Sequence, residues 1–157
     1  MGTDSGDLLY FAITGEFKAI IASSPGDNYI IETILYLPNS NKSFIVGGSD
    51  GLLTLYEKAD SKDTKGLYVR SDRKLLLSES KGHVTSLLAT PKEDHLFVGV
   101  NTGIIFRLSL DKNEEQKCVH ALQEFHTDTI TGLDVCLRKS LVATCSSDRT
   151  VRVWNYL

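Results

Sequence analysis

Three residues near the C-terminal end of this chain could do chemistry together: His126, Ser146 and Asp148. A histidine can take a proton from a hydroxyl, and a carboxylate behind the imidazole can hold its tautomer and orientation. That is the logic of a Ser-His-Asp nucleophile. It also demands an exposed hydroxyl beside an oxyanion hole, in a pocket that admits substrate. Ser146 instead stands within "LVATCSSDRTVRVW" (141–154), a run of short alternating segments without the strand-to-helix elbow of a serine hydrolase. The three residues therefore read as a structural set, and no catalytic residue is assigned.

What must position them is a repeat. Turns leading into short alternating strands recur as "SGDLLYF" (5–11), "DGLLTLY" (50–56), "TGIIFRL" (102–108) and "DRTVRVW" (148–154). Each places a large apolar residue six positions after the first turn residue, at Phe11, Tyr56, Leu108 and Trp154. The separations are 45, 52 and 46 residues (56−11, 108−56, 154−108), a period that marks a stacked or circular repeat.

Within each period the pattern predicts further strands. A first strand is expected at 30–37, 84–90 and 130–135, and a second at 43–49, 95–101 and 141–147. A closing fourth strand is expected at 16–23, 73–80 and 117–125. The segments alternate or are short and apolar, and turn residues bound them, with no sustained helical period. Pro38 and Pro91 suit strand exits, because proline cannot donate to a ladder, and Gly51 and Gly103 suit tight hairpin turns.

Four antiparallel strands per period make a propeller blade. The expected fold is all-β: a fragment of one β-propeller over 1–157, about three and a half four-stranded antiparallel blades, with approximate repeats 1–15, 16–58, 73–110 and 117–157. An open ring bares an apolar blade face and strand edges at each end, so self-association or missing blades are expected.

Composition narrows the function classes. The formal charge of −3 offers no basic stripe, which disfavours nucleic acid. The mixed-sign stretches "EKADSKDTK" (57–65) and "DKNEEQK" (111–117) read as solvated loops. Met1 is followed by "GTDSGD" rather than a secretory pattern, and no apolar run reaches the roughly 18 residues that span a bilayer, so neither secretion nor a membrane partner is expected.

Cys118, Cys136 and Cys145 lack CxxC spacing and are expected as free, mostly buried thiols. His83, His95, His120 and His126 show no ligand spacing, so no metal and no cofactor is assigned. Gly47–Gly51 lacks the lysine and the helix of a phosphate loop, and Asn41-Lys42-Ser43 reads as a turn rather than a glycosylation site.

The last period, "FHTDTITGLDVCLRKSLVATCSSDRTVRVWN" (125–155), resembles the WD-repeat family. In that family a histidine before the first strand, a serine in the second, an aspartate in the turn and a tryptophan in the third bond in series. The resemblance implies a structural hydrogen-bond tetrad of His126, Ser146, Asp148 and Trp154, with Phe125-His126 in place of the usual Gly-His. The matching positions of the earlier periods are Gly48, Asp50 and Tyr56, then Val100, Thr102 and Leu108. Gly82-His83 matches the family dipeptide, and His83 is expected to be solvated.

Residues 126–156, together with "FIVGGSDGLLTLYEK" (44–58), look like the cilia- and flagella-associated WD-repeat proteins, in particular the member linked to inner dynein arms. This resemblance implies a non-enzymatic protein–protein interaction scaffold. It would be an axonemal component of a cilium or flagellum, supporting inner dynein arm assembly or motility, with axonemal dynein or regulatory-complex proteins as partners. Candidate partner-contact positions are Asp128, Thr129 and Arg149. Two alternatives stand beside it: a generic cytoplasmic WD-repeat adaptor in ubiquitin ligation or trafficking, and a serine hydrolase built on Ser146.

Overall fold

The computed structural model describes residues 1–22, 30–39, 43–59, 68–75, 82–111, 118–122 and 126–156. Among these residues there is no helix, and the strands form four antiparallel meanders. Sheet I pairs β1 (Leu8–Phe11) with β2 (Phe17–Ala22). Sheet II runs β3 (Ile31–Leu37), β4 (Ser43–Gly48), β5 (Leu53–Lys58) and β6 (Tyr68–Leu75). Sheet III runs β7 (Val84–Ala89), β8 (His95–Val100), β9 (Ile105–Ser109) and β10 (Cys118–Leu122). Sheet IV is β11 (Ile130–Val135), β12 (Leu141–Ser146) and β13 (Val151–Asn155).

The first strands of successive sheets are neighbours, with β7 between β3 and β11. That is the radial stacking of a partial propeller. The apolar residues follow from it. Ile45, Leu53 and Leu55 of sheet II pack with Val84, Leu96, Val98 and Phe106 of sheet III in one cluster. Phe97 and Ile105, on the other side of sheet III, pack with Ile130 and Val142 of sheet IV. Because both faces of β4 and β8 are covered, these strands are apolar nearly throughout and buried along almost their whole length. β12 is covered on one side and shows alternating burial.

A notch at the same place beside sheets I, II and III sets the close approach of the next sheet. A Cβ built on Gly2, Gly47 or Gly99 would fall 2.5, 2.5 and 2.6 Å from side-chain atoms of Ile31, Val84 and Ile130 respectively. Those three branched residues begin or immediately follow the start of the next sheet's first strand, and only a residue without a side chain admits them. The equivalent position in sheet IV, fixed by the pairing of Cys145 with Val151, is a cysteine.

Two expectations change at the level of the fold. The fourth strand of sheet II lies at Tyr68–Leu75 rather than 73–80. Its register pairs Lys58 with Tyr68 and Leu53 with Leu75, and the Tyr68 ring sits 4.9 Å from that of Phe44, so aromatic packing sets the earlier start. Residues 76–80 lie outside the described residues. Cys136 and Cys145 are exposed rather than buried, Cys145 because its side of β12 faces no sheet among the described residues. Asn41 and Lys42 of the sequon, and most of the two mixed-charge stretches, also lie outside the described residues.

Candidate functional site: a polar relay at the last sheet

Val142 is fully buried against sheet III, and Thr144, two residues on, shares its side of β12. Thr144 is 0 % exposed, so its hydroxyl needs partners. It has two. Trp154 Nε1 donates to Thr144 Oγ1 at 3.0 Å, and Thr144 Oγ1 lies 2.7 Å from His126 Nε2. Indole nitrogen only donates, so the threonine oxygen accepts there and its own proton goes to Nε2. The imidazole proton then sits on Nδ1, which donates to Asp148 Oδ2 at 2.8 Å.

The carboxylate is held from every side. Oδ2 also accepts from the Thr127 amide at 3.2 Å. Oδ1 accepts from the Thr150 amide at 2.8 Å and the Thr150 hydroxyl at 2.7 Å. The Thr150 hydroxyl bond, then the His126 ring and the Thr150 and Thr127 amides, hold the Asp148 carboxyl far below the usual carboxylate range against the opposing effect of burial.

The structure thus joins His126, Asp148 and Trp154 in one series of bonds, but its hydroxyl is Thr144 and not Ser146. Ser146 Oγ donates to the Asp128 carbonyl at 2.9 Å and accepts from the Asp148 amide at 3.2 Å. It closes the turn between β12 and β13. The reason is reach: Trp154 pairs with Val142 across the ladder, one step from Thr144 and well short of Ser146. With the His126 imidazole bonded to Thr144, no base faces the serine hydroxyl.

Sequence reasoning missed a second serine. Gly47-Gly48-Ser49-Asp50-Gly51 has the spelling of a nucleophile elbow, yet the segment runs from β4 through a turn into β5. No helix follows it, and Ser49 Oγ accepts from the Ile30 amide at 3.0 Å.

His83 is corrected by register. Val84 pairs with Val100 as Ile130 pairs with Ser146, so His83 corresponds to Thr129 and not to His126. The backbone agrees: Asn101 N donates to His83 O as Ser147 N donates to Thr129 O. His83 is exposed, with Nδ1 4.0 Å from Glu32 Oε1.

The candidate contact residues separate. Thr129 Oγ1 donates to Asn101 O at 3.1 Å and ties sheet IV to sheet III. Asp128 is exposed, and its Oδ1 accepts from the Thr129 amide. Arg149 is exposed and holds φ +67°, where the matching turns of the earlier sheets carry Gly6, Gly51 and Gly103. A side chain in that region costs roughly 1–2 kcal/mol.

Among known families, the model of the WD domain, G-beta repeat, matches residues 116–155, the segment that carries the relay and sheet IV. Residues 116–155 are a WD repeat, and the four antiparallel meanders are those of a partial WD-repeat propeller. Over 99% of its length this WD-repeat chain is 46% identical to cilia- and flagella-associated protein 57 A of Tetrahymena thermophila. It is 31% identical to cilia- and flagella-associated protein 57 of Mus musculus over 74% of its length, and 24% identical to protein 57 C of T. thermophila over 98%. It spans only 12%, 10% and 13% of these relatives.

Proposed function

We propose that this WD-repeat segment is part of a non-enzymatic scaffold that binds other proteins in the axoneme of a cilium or flagellum and supports inner dynein arm assembly or motility. One observation carries the reading: the likeness to cilia- and flagella-associated proteins runs along the whole chain rather than the WD motif alone. The relay supports it from the physical side. His126, Thr144, Asp148 and Trp154 are bonded in series, and Thr127 and Thr150 hold the rest of the Asp148 carboxylate, so the set acts as a structural clamp on the loop that precedes β11.

On this reading the turn residues Asp128 and Arg149 touch partners. Arg149 is the stronger candidate, since its backbone is strained without a local return. Affinity purification of the intact protein from ciliated cells tests the proposal. Axonemal dynein or regulatory-complex subunits are the expected companions, and ubiquitin-ligase or coat-complex subunits in their place would overturn it. A fluorophosphonate probe tests the absence of hydrolase chemistry: labelling at Ser146 or Ser49 would refute it.

A further inference from the structure

At the far end of sheets III and IV from the relay, the turn between β7 and β8 and the turn between β11 and β12 flank a cleft of about 300 Å³. Lys92 comes from the first turn, and Arg138 and Lys139 from the second; all three are exposed. None of them forms an ion pair among the described residues. The nearby carboxylate, Asp94, is engaged by the Thr90 hydroxyl. Among the lining residues three cations stand against one carboxylate, while Glu93 of the same turn is buried and accepts from the Asn39 amide; this is a local reversal in a chain whose net charge is −3.

The cleft has an apolar side as well. Leu137, next to Arg138 in the chain, is 79% exposed, with nothing among the described residues covering it. The floor is built rather than incidental. Tyr156, half-buried, packs its ring 5.3 Å from that of Phe97 and lines the cleft. The buried Nδ1 of His95, which also lines the cleft, has no hydrogen-bond partner.

We infer that this cleft is a docking site for an acidic protein segment that carries an apolar side chain among its carboxylates. The cations at the rim attract and orient the carboxylates, Leu137 covers the apolar side chain, and the volume suits one or two side chains rather than a folded ligand. This deepens the scaffold reading and rests on it only in that the occupant is a protein. It adds a second contact surface, opposite the turn that holds Arg149.

The test uses the intact full-length protein and a fluorescent peptide of glutamates flanking one leucine, read by anisotropy. The expected result is saturable binding that weakens about tenfold when glutamine replaces glutamate, and about tenfold in the double variant Arg138→Glu with Lys139→Glu. Arg138→Lys should bind within about twofold of the native protein, and raising salt from about 50 to about 300 mM should weaken binding several-fold. Equal binding of the glutamate and glutamine peptides overturns the proposal, as does a double variant that binds within about twofold of the native protein. A phosphoserine peptide that binds far more tightly than the glutamate peptide overturns the carboxylate assignment. If axonemal companions co-purify equally with the native protein and the charge-reversed variant, the cleft assignment fails while the scaffold stands. If neither captures them, the scaffold reading itself fails.

Discussion

Trp154 donates its indole N–H to the Thr144 hydroxyl at 3.0 Å, from the third strand of sheet IV onto the second. The Thr144 hydroxyl is also hydrogen-bonded to His126 Nε2 at 2.7 Å, so one buried hydroxyl couples a strand to the loop that enters the sheet. Thr144→Val keeps the shape and removes the hydroxyl that the indole and the imidazole share. The expected loss is about 1–3 kcal/mol in urea unfolding, against about 1 kcal/mol or less for Thr144→Ser. Ser146→Ala should cost less than Thr144→Val, since only turn bonds are lost. The opposite ranking would show that the relay runs through Ser146.

Acid should expose the Asp148 contribution. Its carboxyl is held below the ordinary range, chiefly by the Thr150 hydroxyl. A depressed folded-state value means stability that is present above the unfolded carboxylate pKa of about 3.9 and is lost as pH falls through the folded-state value. The stability difference between the native chain and Asp148→Asn should therefore be flat from neutral pH to about pH 5 and shrink below about pH 4. Chemical denaturation across that range checks this, and a difference that grows on acidification would contradict it.

Gly99→Ala tests the notch between sheets. The added methyl would lie 2.6 Å from Ile130 Cγ2. A loss of about 1–3 kcal/mol is expected, from overpacking in a fully buried interface. Paired with Ile130→Ala, which removes Cγ2, it should cost less than the sum of the two single losses, and a double-mutant cycle without coupling would rule out this steric origin.

Val151 and Val153 are 70% and 64% exposed on the side of sheet IV that carries Cys145. Ile34 and Tyr36 of β3 are 40% and 50% exposed, and Ile20 of sheet I is 56% exposed. Apolar faces of this kind associate. The 157-residue chain alone should scatter light as oligomers or aggregates, and Val151→Lys with Val153→Lys should reduce its apparent mass. A clean monomer with a cooperative melt in the native chain would remove the argument.

Much of this was legible in the residues. The recurrence of Tyr56, Leu108 and Trp154 gave equivalent ladder positions, opposite Phe44, Leu96 and Val142. That regularity follows from the strict alternation of strands and the turn chemistry that fixes where each begins. The strand β6 was misplaced because the leucines at 75–77 signal apolarity but not which residue pairs with Leu53.

By itself, then, the sequence determined the period, the all-β class, and the types that could form a relay: an indole, an imidazole, a carboxylate and a hydroxyl. Only the tertiary structure decided which hydroxyl. Thr144 and Ser146 lie two residues apart on β12 and so face the same way, and alternation cannot tell them apart. The choice belongs to distances across strands, where Trp154 and His126 converge at the depth of Thr144 while the turn claims Ser146. His83 teaches the same lesson. A dipeptide can match a motif in spelling, but its place relative to the first paired residue of the strand is a property of the folded ladder.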